Sequence, residues 1–184
     1  MKSTTQRAKA CFAFAFAVAT LSSVTCAAER RDHDSDNDGV VRWKSIEGNI
    51  TAPGVDNPVA GIGTGTLPWT TTRGHARVNL QTGAASFEVE GLVLNGGNGT
   101  GSAGPVDQVE GSLICNAGTN AQAILTTSPV PLTSTGNAEF SGNIGEVSST
   151  CANPLFLVRI GPDLPGAHQR WIATGAVRVI GEND

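Results

Sequence analysis

The sequence predicts an all-β protein: a single antiparallel β-sandwich or small barrel of about eight strands, following a cleaved signal peptide. Three observations carry this expectation. No stretch after residue 40 sustains a helical period with caps. Apolar residues recur instead in short alternating runs, cut by Gly, Pro, Asn and Thr, which is the pattern of half-buried antiparallel strands. One pair of runs, "GHARVNLQTGAASFEVEG" (Gly74–Gly91), reads as a hairpin with one apolar and one charged face.

The chain opens with Lys2, Arg7 and Lys9, then the apolar run Ala10–Leu21, then "SSVTCAA". A basic start, a short apolar stretch and a small-residue exit are the parts of a secretory signal peptide. The apolar run is well short of the roughly 20 residues that span a bilayer. Cleavage after Ala28 puts Cys26 and Ala28 at the small-residue positions. A cut after Ala27 is the alternative, and a lipidated Cys26 a minor one. The expected organisation is a signal peptide over 1–28, an acidic flexible leader over 29–40 and a single β domain over 41–184, secreted or periplasmic.

Removing 28 of the 184 residues leaves 156, enough for one domain with a real core. Three of the 12 basic residues leave with the signal, so nine face all 16 acids and the mature formal charge is −7. Such a chain is a poor electrostatic partner for nucleic acid or an anionic membrane surface. No transmembrane segment is expected, and the domain reads as a monomer with an extracellular or periplasmic ligand of unknown identity. Cys11 and Cys26 also leave with the signal. The remaining two, Cys115 and Cys151, most simply form one disulfide in an oxidising compartment.

The candidate strands are Val41–Thr51, Gly74–Leu80, Ala85–Leu94, Val109–Cys115, Gln122–Thr127, Gly136–Ile144, Pro154–Ile160 and Arg170–Ile180. In the hairpin, a two-residue loop at Thr82-Gly83 sets Val78 opposite Phe87 and Ala76 opposite Val89. Arg77 then meets Glu88 and His75 meets Glu90 on the other face. "LFLVRI" (Leu155–Ile160), apolar on both faces except at Arg159, predicts a central strand. The alternating "RWIATGAVRVI" (Arg170–Ile180) reads as the closing strand. "NGGNGTGSAG" (Asn95–Gly104), with five glycines, reads as a long flexible loop.

The leader holds the most pointed motif. Asp34, Asp36 and Asp38, followed by Gly39 and Val40, stand where a calcium loop places ligands 1, 3 and 5, its glycine and its backbone carbonyl. Position 12, which carries the bidentate acid, is Ser45, and the next acid, Glu47, comes two residues late. This is half a calcium loop, so the expectation is a solvated leader with weak Ca2+ affinity at most, and no other cofactor. Catalytic signals are fewer. Glu88 and Glu90 share one strand face, but a glycosidase needs two carboxyls across a scissile bond. Neither a G-x-S-x-G elbow nor an H-E-x-x-H helix is present. His168, beside Trp171, reads as a surface histidine. Trp43, Trp69 and Trp171 read as packing anchors rather than a sugar-stacking row. Asn49-Ile50-Thr51 and Asn98-Gly99-Thr100 match the glycosylation acceptor pattern.

"TTTRGHARVNLQTGAASFEVEGL" (Thr70–Leu92) resembles the core of CHRD domains, secreted β modules named after chordin and also found in bacteria. "STGNAEFSGNI" and "NPLFLVRIG…RWIATGAV" are similar to that domain's later strands, so the resemblance spans much of residues 46–180. The His-x-His signature that follows the second strand in that family is replaced here by "NGGNGTGSAGPVDQVEG", so no role of those histidines carries over. The resemblance implies a secreted β-domain. The sequence as a whole points to an exported, non-enzymatic β-domain with a binding or scaffold role. The alternative is a hydrolase of an extracellular polymer acting through loop or strand carboxylates.

Overall fold

A computed structural model describes residues 39–52, 55–118, 120–147, 151–162 and 169–180. Its elements are β1 (Val40–Gly48), β2 (Trp69–Thr70), β3 (Arg73–Asn79), β4 (Ala84–Glu90), β5 (Val93–Leu94), β6 (Gln108–Cys115), β7 (Gln122–Thr126), β8 (Val130–Pro131), β9 (Ala138–Asn143), β10 (Leu155–Ile160) and β11 (Trp171–Ile180). The described residues are all-β. The main sheet runs β7-β6-β10-β11-β1-β3-β4-β9, with β8 alongside β6, and β2 and β5 form a small second sheet. Every pairing between these strands is antiparallel, and one isolated bridge, Thr64 to Trp171, is parallel. The main sheet curls into a half-barrel, in keeping with the predicted sandwich or small barrel.

Each of the eight predicted strands has a counterpart. β11 differs from its expected place: it does not close the sheet but lies inside it, between β10 and β1. The open ends are β7 and β9. β10 is central, as its apolar sequence requires, flanked by β6 and β11.

The core fills the concave side. Trp43 from β1 and Phe87 from β4 both lean on Phe156 from β10, with ring centroids 5.5 and 5.7 Å away, and Phe140 from β9 stacks on Phe87 at 6.0 Å. Offset and tilted ring pairs at these separations add to simple area burial. Gly111 on β6 is the floor beneath them: a Cβ there would lie 2.5 Å from Cζ of Phe156 and 3.1 Å from Cδ1 of Phe87. Only glycine lets the rings approach the strand.

The Cys115–Cys151 disulfide joins the end of β6 to the segment entering β10, with Cα atoms 4.9 Å apart. These strands are already neighbours, and Asn116 N–H donates to the Ala152 carbonyl at 2.6 Å just beyond the bond. The bridge therefore ties off the excursion that carries β7, β8 and β9.

Two local expectations need correction. The β3–β4 register is displaced by two residues: Val78 faces Ala85, Ala76 faces Phe87, His75 faces Glu88 and Arg73 faces Glu90. The reason is the turn. Asn79 Oδ1 accepts the N–H groups of Gln81 and Thr82, both at 2.9 Å, and its carbonyl accepts the Gly83 N–H at 2.8 Å. Leu80 is drawn to the Gly39 carbonyl of the neighbouring chain segment. Gly83, with φ of 71°, completes a four-residue loop in the left-handed region. A two-residue shift keeps every side chain on its face, so the apolar and charged sides survive with different partners. Second, Asn95–Gly104 is a compact hydrogen-bonded loop. Gly101 and Ser102 clasp Leu94, Asn95 N–H reaches the Pro68 carbonyl, and buried Ala103 donates to Ser134.

Candidate functional site

The calcium half-loop falls mostly outside the described residues: Asp34, Asp36 and Asp38 all do, as does His168. Val40, assigned to the leader on sequence grounds, is the first residue of β1, fully buried and opposite Asn79. The carbonyl of Gly39 is taken by Leu80 N–H at 2.8 Å. Among the described residues no group of three His, Cys, Asp or Glu side chains is placed to hold a metal ion.

The chemistry-bearing side chains that do come together lie on the outer face of β1, β3, β4 and β9. Strand alternation puts Ala76, Val78, Phe87 and Val89 in the core and turns Arg73, His75, Arg77, Glu88 and Glu90 outward. His75, Glu88 and Glu139 form one row across three strands, Glu88 being opposite His75 on one side and Glu139 on the other. Two carboxylates directly opposite each other are unfavourable for the sheet. An open groove of about 360 Å3, lined by Lys44, Arg73, Gly74, His75, Glu88 and Glu90, adjoins a second of about 510 Å3 that adds Thr133, Asn137 and Glu139. The grooves share Glu88 and Glu90.

Glu90 is held by Arg73 at 2.6 Å. This hydrogen bond lowers the Glu90 pKa below the usual carboxylate value and raises that of Arg73. Glu88 and Glu139 are exposed. Glu90 is half-buried, its side chain retaining 32% exposure. Glu88 and Glu90 also follow one another along a strand instead of confronting each other across a cleft.

A second constellation was not foreseen. Arg159 on β10 and Glu110 on β6 are direct cross-strand partners, buried, with Nη2 of Arg159 2.8 Å from Oε1 of Glu110. Nη1 of Arg159 donates to Ser112 Oγ at 3.0 Å, which in turn lies 3.1 Å from Thr126 Oγ1. Nε of Arg159 is buried without a partner. Burial pushes the Glu110 carboxyl up, and Arg159 opposes that in part. The sequence signal was the single charge in "LFLVRI"; nothing in "QVEGSLIC" marked Glu110 as its partner.

The aromatic and sequon residues also separate. Trp43 and Trp69 are buried, whereas Trp171 is half-buried and donates its Nε1–H to the Asn57 carbonyl at 3.1 Å. Asn49 is buried, and its Oδ1 accepts the Trp69 N–H at 3.1 Å. Asn98 is exposed. No family model, no curated protein and no solved structure matches the chain.

Proposed function

We propose that the protein is an exported, non-enzymatic β-domain with a binding or scaffold role outside the cytoplasm, contacting its partner through the outer face of β1, β3, β4 and β9. The observation that carries this reading is the open, charged strand face centred on Glu88, where acidic and basic side chains stand side by side. Recognition of a polar surface uses a display of charge such as this one. The apparent signal peptide and the disulfide support export. Among the described residues no helix is long and apolar enough to cross a membrane. The resemblance to CHRD domains supports the same reading.

The test is affinity capture from the extracellular or periplasmic fraction with the wild-type protein and a His75→Ser/Glu88→Ser/Glu139→Ser variant, beside a hydrolysis panel of extracellular polymers. The three side chains are exposed, so the variant should fold normally. Capture of a partner by the wild type alone, with no turnover, is the expected result. Polymer cleavage lost in the variant would establish the hydrolase alternative instead.

A further inference from the structure

The small β2–β5 sheet roofs an apolar cavity of about 110 Å3 that is separate from the charged face. Leu67, Trp69 from β2, Leu94 from β5, Val106 and Ile160 from the end of β10 line it, and one charged group, Arg170, stands at its edge. Trp69, Leu94, Val106 and Ile160 are buried, so the lining is largely hydrocarbon. Arg170 is about two-thirds covered, its side chain retaining 35% exposure.

The guanidinium is only partly used. Nη1 donates to the Thr64 carbonyl at 2.6 Å, and the Asp56 carboxylate stands 4.0 Å from the same nitrogen, beyond hydrogen-bond reach. Nε and Nη2 make no hydrogen bond to any described residue. An apolar cavity with one convergent cationic group selects a ligand with a hydrocarbon body and an anionic end. A planar guanidinium with two nitrogens that have no partner among the described residues favours a carboxylate. Size sets the body. A cavity of roughly 150 Å3 takes benzene, so this smaller one suits about three or four carbons, the alkyl part of butanoate or pentanoate.

We propose that this cavity binds a short-chain aliphatic carboxylate, with its chain against Trp69, Leu94, Val106 and Ile160 and its carboxylate on Arg170. The site is independent of the outer-face reading and stands or falls separately from it. The test is an NMR titration of the exported protein at neutral pH with pentanoate, pentan-1-ol and octanoate, following the Trp69 indole N–H and the Leu94, Val106 and Ile160 methyl groups. Pentanoate should give saturable shifts at these four residues, with pentan-1-ol and octanoate at least about tenfold weaker, one lacking the charge and the other too long. Arg170→Gln should weaken pentanoate binding about tenfold or more with an unchanged circular dichroism spectrum. Val106→Phe, which fills the cavity, should abolish it; should that variant fail to fold, Arg170→Gln decides alone. No saturable shift at these residues, equal binding by Arg170→Gln, or tighter binding of octanoate would overturn the proposal.

Discussion

Removing the carboxylate of Glu110 is the sharpest test of how the central strands are held. In Glu110→Ala the Arg159 guanidinium stays buried on β10, keeps its bond to Ser112 and loses the one carboxylate partner it has among the described residues, where Nε already lacks an acceptor. Breaking a buried pair by deleting one member costs about 3–5 kcal/mol, because the surviving charge is stranded away from water. At roughly 2–4 °C per kcal/mol for a chain of this size, that is a fall in Tm of about 6–20 °C. The double replacement Glu110→Leu/Arg159→Met removes both charges and should be near neutral or stabilising by about 1–4 kcal/mol. Urea titration followed by tryptophan fluorescence measures each value. The pair also has a pH signature. Burial raises the folded-state pKa of Glu110, so the folded protein binds that proton more tightly than the unfolded chain. Its contribution to stability is fully present below the ordinary glutamate pKa and is lost as pH rises through the raised folded value. Glu90 acts oppositely: its depressed pKa contributes stability above the ordinary value that is lost as pH falls. Glu110→Gln should remove the first component and leave the second. A loss below about 1 kcal/mol in Glu110→Ala, or a double variant as unstable as the single, would refute the reasoning.

Three further predictions concern the disulfide, the sequons and the acidic leader. Cys115→Ser should lower stability by about 4 kcal/mol from chain entropy alone for a 36-residue separation; unchanged urea midpoints, or two labelled thiols in the native exported protein, would contradict it. Expressed in a glycosylating host, the folded protein should carry glycan at exposed Asn98 and none at buried Asn49, and Asn49→Ala should cost no more than about 1 kcal/mol, because the Asn49 backbone carbonyl, 3.0 Å from the Trp69 nitrogen, keeps that N–H paired when the side-chain acceptor is gone; glycopeptide mapping and thermal melts check both. Calcium should bind the Asp34–Asp38 leader no tighter than about 10⁻⁴ M, since three aspartates and a carbonyl fall short of the six to eight oxygens the ion takes; micromolar calorimetric binding lost in Asp34→Asn/Asp36→Asn would overturn that.

The strands were legible because a two-residue period needs nothing beyond the sequence: Ala76, Val78, Phe87 and Val89 announce their face wherever the turn falls. The turn itself was not. The Asn79 side chain competes with the ladder for two N–H groups and widens the loop, which moved every cross-strand pair by two positions. The real partner of Glu90, Arg73, was hidden by that shift. Non-local placement was equally silent. The insertion of β11 between β10 and β1, and the meeting of Glu110 with Arg159, are set by sheet order and have no local signal. The Asn95–Gly104 segment misled through composition: its glycines permit tight turns, and backbone bonds to Leu94, Pro68 and Ser134 use them. The calcium half-loop and the outer-face acids were legible as residue types. Only the register sets Glu88 between His75 and Glu139.

Export of a disulfide-linked β-domain is the claim on which the rest depends, and intact mass spectrometry of the protein recovered from culture fluid or periplasm tests it most directly, without reductant and then after reduction and thiol labelling. The account predicts a chain beginning at Glu29, or at Ala28 for the alternative cut, with Cys115 and Cys151 joined and labelled only after reduction. A chain retained inside the cell and beginning at Met1, with both thiols labelled before reduction, would contradict it.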